Sequence, residues 1–379
     1  MEYDEHRERA RSFAEREIAG SVASRDRASL WDGSLFRRMG DAGLLGAGFP
    51  RIHGGSDLGA LPVSHLLSGF GEGSLDAGLS LAWVAHACGC GVPILRFGTE
   101  AQRRRYLPPL GLGEWIGGLA HAEANTGGDP MGIQTRAEKR GDRWILRGKK
   151  TWVVNGSVGR VFVVTAVTAP DRQKEGVSTF LVERDTPGLR IGRRIEATGM
   201  RTATISELVF DDCEVPEGNL LGAEGSGLTH TYRLIQRWQR GLLLAPWIGL
   251  MRSLLAQTIA HTREQIQLGR PLAHAQSIRA MLADLKIRAE LCAKLQDRAA
   301  WQLDRADPSA DRDIAVARLF IAESVARMTR DAAQIHGAQG AEVDRLPERL
   351  ARDAAVVGHV GEGSEILRSV IAGSLLHLG

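Results

Sequence analysis

Apolar residues recur at helical spacing over residues 1–115, give way to short β-rich runs over 116–227, and return to helical spacing over 228–379. Glu5–Ala19 predicts a charged amphipathic helix, and Leu35–Leu45 a second one, ended by Gly46, Gly48 and Pro50. Arg51–Gly59 predicts a loop on its glycine content. Leu79–Cys90 predicts a third, largely apolar helix, followed by Pro93, Gly98 and the basic segment Gln102–Tyr106. In the middle of the chain, Arg143–Leu146, Thr151–Val154, Arg160–Val167, Val177–Val182, Leu189–Ile191 and Glu207–Phe210 are separated by glycine, proline and acidic turns. They predict a compact antiparallel sheet or barrel. Helices are expected again over Leu228–Arg263, Gln276–Asp304, Asp311–His336, Glu348–Val357 and Ser364–Leu378, long enough for a bundle packed up and down. The fold class is α+β, with the strands confined to the centre.

Composition narrows the function without naming it. At 379 residues, 43% hydrophobic and 25% charged, the chain can bury a large core. Its 48 basic and 45 acidic side chains leave a net charge of +3, which argues against a nucleic-acid partner. Four cysteines, of which only Cys88 and Cys90 are close, match neither a zinc spacing nor a disulfide framework. No metal is expected, and a reducing, cytoplasmic setting is. His86 sits in an apolar run with no ligand partner at suitable spacing, and reads as a core histidine. The amino terminus is charged and no uninterrupted apolar segment approaches the roughly 20 residues that span a bilayer, so no membrane association is expected.

Candidate chemistry lies near the end of the chain, in Arg352–Arg368, RDAAVVGHVGEGSEILR. Gly361, Glu362 and Gly363 form a turn before Ser364. Two readings of Glu362 stand: a catalytic base, or a carboxylate beside the positive end of the helix that Ser364 caps.

Ala120–Thr135, AHAEANTGGDPMGIQT, followed by Gly148–Gly156, GKKTWVVNG, resembles the acyl-CoA dehydrogenase family. That family's β domain opens on a T-E-P-x-A-G-S-D-like loop and continues to a K-x-W-I-T-N-G strand. Gly43–Gly55, Gln267–Gln276 and Gln334–Gly340 are similar, in order, to the family's G-L-L-G…P…G-G, F-G-R-P…Q and Q-I-h-G-G-x-G segments. The resemblance covers nearly the whole chain. It implies an N-terminal helical domain, a central antiparallel β-barrel-like domain and a C-terminal four-helix bundle. It also implies a homotetramer or dimer, one FAD per subunit, and an acyl-CoA or acyl-carrier thioester as substrate.

Residue by residue, the resemblance sets Trp152 against the flavin and the backbone around Ala122, Glu123 and Val154 along its polar edge. Family threonines fall on Ala122 and Val154, so two flavin-edge hydroxyls are missing. Gln334, Gly337, Ala338 and Gly340 match the turn that receives the pyrophosphate from a neighbouring subunit. A helping arginine falls on Gln265, with Gln267 and Arg270 retained, and Gly363 and Glu365 complete the implied cofactor set. On the substrate side a family serine falls on Gly128 and a family arginine on Arg240, while Arg233, Arg237 and Arg240 at helical spacing read either as a basic face for a phosphopantetheine arm or as a solvated surface.

Oxidising a thioester between Cα and Cβ requires a base for the α proton, hydrogen bonds to the thioester oxygen and a hydride acceptor. Counted without a gap, the family's base position falls on Gly361, and the alternative position before Arg240 falls on Gln239. Neither is a carboxylate. Three readings follow: an altered, oxygen-using oxidoreductase, which the clustered departures favour; a desaturase with Glu362 as displaced base; and a non-catalytic flavin- or DNA-binding relative.

Overall fold

The computed structural model describes residues 3–126, 128–305 and 310–376. The first part is helical: α1 (Asp4–Glu17), α2 (Val22–Ala28), α3 (Gly33–Asp41), α4 (Ala60–Ser74), α5 (Ala77–His86), α6 (Val92–Phe97) and α7 (Glu100–Gly111). Asp32 starts α3 by accepting a hydrogen bond from Ser34 N, and Thr99 and Gln102 form a capping box on α7. The helix predicted to end at Cys90 instead runs from α5 through a π turn, Ala87–Gly91, into α6. Pro93, the second residue of α6, cannot donate into the preceding turn, and the π turn lies directly before it.

Seven strands follow: β1 (Gly117–Ala120), β2 (Arg136–Arg140), β3 (Arg143–Val154), β4 (Val161–Val167), β5 (Val177–Glu183), β6 (Leu189–Arg194) and β7 (Ile205–Pro216). They form one sheet in the order β1-β4-β2-β3-β7-β6, with β5 beside β4. Most neighbours are antiparallel, but β1 runs parallel to β4, and Arg136 of β2 meets Val167 of β4 in parallel. The chain makes the β2–β3 hairpin before returning alongside β1, and the return direction sets that pairing. Arg143–Leu146 and Thr151–Val154 are a single strand, β3, whose register shifts at Leu146/Gly148 and Lys150/Val153.

The last part comprises α8 (Arg233–Leu242), α9 (Ala245–Glu264), α10 (Gln276–Arg305), α11 (Ala310–His336), α12 (Leu346–Val357) and α13 (Ser364–Leu376), with a short ladder of β8 (Ile266–Gln267) and β9 (Arg270–Pro271) after α9. Leu378, the expected end of the last helix, lies outside the described residues. The single helix predicted over Leu228–Arg263 is broken. A π turn, Gly227–Tyr232, leads into α8, and α9 restarts at Ala245 because Pro246 cannot continue the preceding turn.

The first and last helical parts share one core, in which Phe36, Phe70 and Trp83 pack with Leu250, Ile321 and Leu350. The approach of α4 to α9 is a backbone contact. A Cβ on Gly249 would fall 1.9 Å from Ser68 O, so only glycine fits there. A second apolar cluster fills the sheet around Trp144, Phe162 and Phe180, and a third, around Phe49, Ile94, Val163 and Ile235, joins sheet to helices. His86 is fully buried and accepts from Gly117 N at 3.0 Å, in keeping with a core role.

The apolar-length expectation needs correction. The helical runs Ala77–Phe97 and Gly227–Glu264 are long and apolar enough by composition to cross a bilayer, but 89% and 72% of their apolar windows are buried within the fold. Their hydropathy is that of core helices.

Candidate active site

Trp152 stands at the β3 bulge with φ +53° and its side chain 53% exposed. A left-handed backbone costs a bulky L residue roughly 1–2 kcal/mol, and an open indole recovers none of that by burial. Asn155, also left-handed, sends its buried Nδ2 to Ala82 O and Gly117 O, 3.0 Å each, and so pins the end of β3 to α5 and β1. Thr151 N donates to Ala122 O at 2.9 Å, which brings Ala122 beside the Trp152–Val154 segment. An exposed aromatic face beside half-buried Ala122 and Val154 fits a flat cofactor such as FAD. The expected hydroxyls are absent from both positions.

Glu123 is turned inward. Its carboxylate accepts from Lys150 Nζ at 2.7 Å, Thr135 Oγ1 at 2.6 Å and Gln134 N at 2.7 Å, and its own N–H is given to Thr126 Oγ1. Burial pushes the Lys150 ammonium down to about 8 despite Glu123. For Glu123, burial acts upward, but Lys150 and the hydrogen bonds hold it below its ordinary value. The pair braces the end of β1 against β3.

Gln334, Gly337 and Ala338 are exposed at the end of α11 and the 3-10 turn that follows, as are Gln265 and Gln267 after α9. Gly337 has φ +60° with open space around it. Gln334 lies four and a half turns along α11 from Arg318, roughly 24 Å at 1.5 Å per residue. One chain therefore does not bring this turn to the cavities lined by α8. At the start of α13, Gly363 is half-buried and Glu365 is exposed; Gly128 packs beside them, a Cβ there falling 2.7 Å from Ile366 Cδ1.

Arg233, Arg237 and Arg240, expected on the substrate side, lie on α8, whereas Gly128 lies beside α13. An outer cavity of about 410 Å³ is bordered by Met131, Tyr232, Gln236, Arg237, Arg240 and Asp311. That volume suits a small ligand or a pantetheine arm. Asp311 tempers the basic face, pairing with Arg237 at 3.3 Å and Arg233 at 3.9 Å. An inner cavity of about 10 Å³, room for about one water, is bordered by Gln239, Leu243, Arg318, Gly361 and Glu362. Gln236 and Arg240 border both cavities.

Glu362 forms the floor between them. Arg240 donates to it through Nε and, at 2.6 Å, through Nη2, and Gln236 Nε2 donates at 2.8 Å. Burial works against the Arg240 guanidinium, but Glu362 raises it above its ordinary value. Gly361 has φ +77°, and a Cβ there would meet Gln239 Oε1 at 3.7 Å and Leu243 Cδ2 at 3.8 Å. Gly361 and Gln239, the two positions at which a base was expected, thus face each other.

Sequence reasoning missed three participants. His121 stacks on Tyr232 with ring centroids 3.7 Å apart and bonds Thr165 Oγ1 through Nδ1 at 2.8 Å. Gln236 holds Glu362. Arg318 is buried on α11 among Ile314, Ala315 and Ile321, and a charge on that apolar face was its one available signal. Among the described residues no cluster of His, Cys, Asp and Glu could hold a metal.

The family's N-terminal, middle and C-terminal domain models match residues 1–114, 118–213 and 225–376. An L-prolyl-[peptidyl-carrier protein] dehydrogenase of Pseudomonas fluorescens is 36% identical over 337 residues, 89% of this chain and 88% of that protein. The butyryl-CoA dehydrogenase structure from Megasphaera elsdenii superposes with a TM-score of 0.95 at 31% identity, covering 99% of this chain and 98% of that one. PigA with FAD and proline superposes at 0.96 and 30% identity, covering 100% and 98%. With all three domains matched and FAD-bound neighbours of the same fold, this chain belongs to the acyl-CoA dehydrogenase family of FAD-dependent oxidoreductases.

Proposed function

We propose that the enzyme oxidises an acyl group held as a thioester on CoA or a carrier phosphopantetheine, without a carboxylate base at either usual position and with dioxygen as electron acceptor. The observation that carries this reading is the state of Glu362: both oxygens of the one nearby carboxylate are occupied by Arg240 and Gln236. Such a carboxylate anchors a cation and is poorly placed to take an α proton. Bound FAD supplies the two-electron acceptor. The chain's own residues bind the arm along Arg237, Arg240 and Tyr232, and the reacting end lies at the inner cavity bordered by Leu243 and Gly361. The missing hydroxyls at Ala122 and Val154 support altered electron transfer onward. Relatives named for prolyl-carrier oxidation support a carrier-borne substrate.

The second reading, desaturation with Glu362 as displaced base, is favoured by its burial beside Gly361 at the inner cavity. Anaerobic mixing with acyl thioesters separates the two. Bleaching of the flavin band without oxygen, lost by three orders of magnitude or so in Glu362→Gln, would establish desaturation. Bleaching that survives Glu362→Gln, followed on admission of oxygen by return of the flavin band with release of hydrogen peroxide, would establish the first reading.

A further inference from the structure

The inner cavity carries more positive charge than its carboxylate neutralises. Arg240 and Arg318 both border it, and Glu362 is its one acidic side chain among the described residues. Glu362 is committed to Arg240 and Gln236. Arg318 is 3% exposed; its Nη2 donates to Val360 O at 2.9 Å and reaches Val357 O at 3.4 Å, while its Nη1 has no partner. Burial pushes this guanidinium down to about 10, a large displacement for a group that ordinarily keeps its proton at any working pH. A buried donor left unmade costs stability, the more so when it is charged. Gln239 adds a side-chain amide to the same cavity. A hydrocarbon acyl chain would satisfy none of these groups and would remove more water from them.

We infer that the acyl group of the substrate is short and carries an oxygen acceptor, a hydroxyl or a carboxylate, which takes hydrogen bonds from Arg318 and Gln239, two of the side chains that border the inner cavity. This rests on the thioester reading above and narrows it to oxygenated short acyl groups. A cavity of about 10 Å³ holds one polar group rather than an alkyl chain. The uncompensated charge beside it selects for an acceptor.

The test titrates the FAD-loaded enzyme by calorimetry with pantetheine thioesters of butyrate, 3-hydroxybutyrate and succinate, the pantetheine being common to CoA and carrier proteins. An oxygenated thioester should bind about tenfold or more tightly than the butyryl one, the worth of one charge-assisted hydrogen bond. Preference for 3-hydroxybutyryl names a hydroxyl, and preference for succinyl a carboxylate. Arg318→Lys keeps an ammonium for the Val357 and Val360 carbonyls but gives up the second guanidinium nitrogen, and should bring the ratio close to one at an unchanged melting temperature. Gln239→Leu should lower the same ratio independently. Butyryl binding as tight as the oxygenated pair, or Arg318→Lys weakening all three alike, would overturn the inference and leave the thioester reading intact. No binding by any thioester would overturn both.

Discussion

Arg240 grips both carboxylate oxygens of Glu362, a residue 122 positions away, with the two side chains 14% and 8% exposed. The contact ties α8 to the turn before α13 and turns the most suggestive acidic residue of the sequence into one half of a buried pair. Buried pairs are weak sources of net stability, but removing one partner strands the other charge.

Glu362→Gln should therefore destabilise the protein by roughly 3–5 kcal/mol, because Arg240 is left uncompensated. The double substitution Arg240→Met with Glu362→Met should cost clearly less, since no charge remains buried. Urea unfolding of the three proteins measures this; equal losses for the single and double variants would show that the pair is not electrostatically coupled.

Gln239→Glu places a carboxylate opposite Gly361 without backbone strain, and should create anaerobic, butyryl-dependent bleaching of the flavin. Gly361→Glu should do so less well. Its φ of +77° makes a side chain cost about 1–2 kcal/mol of stability there. Stopped-flow absorbance reads the first effect and thermal unfolding the second.

Trp152→Gly relieves a left-handed backbone, and the added freedom of glycine together with the loss of the buried half of the indole roughly cancels the gain. The melting temperature without FAD should stay nearly constant while FAD affinity falls about tenfold or more, as expected for loss of an aromatic contact of ~1.5 kcal/mol. Fluorescence titration with FAD checks it. In the same region, Ala122→Thr with Val154→Thr should shift the flavin potential by about 30–60 mV, from one or two regained hydrogen bonds, in a redox titration.

His121 offers a pH test. Burial, with Lys150 beside it, pushes its imidazole from 6.5 down to about 3, so the folded state keeps it neutral where the unfolded chain takes up a proton. The associated stability is present above pH 6.5 and lost as pH falls from there toward 3, at about 1.4 kcal/mol per pH unit. Asp353, raised by burial from 3.8 to about 7, acts with the opposite sign across much of that range. The difference between wild type and His121→Gln isolates the imidazole: unfolding at pH 6.5, 5.5 and 4.5 should show stability rising with pH less steeply in the variant, or falling, by a slope difference of about one proton.

The order of helices, strands and helices follows from local periodicity, because it depends on spacing within a short window, whereas the candidacy of Trp152 rests on the resemblance. The vacancies at Gly361 and Gln239 were legible too, once the resemblance supplied the register. Elements with little local signal were not legible. β1 is four residues with two glycines, β2 buries only Ala137, and α4 carries Gly69, Gly71 and Gly73; each is held by its neighbours rather than by its own pattern.

The sequence by itself determined which groups exist near the reaction: no carboxylate at either base position, no hydroxyl at Ala122 or Val154. Only the tertiary structure decided what the remaining groups do. Glu362 and Arg240 meet across 122 residues, Glu123 turns inward to a buried Lys150, and Arg318 is left with an unpaired nitrogen at a cavity of one-water size. Long-range pairing and desolvation set those roles, and neither has a signature at short sequence separation.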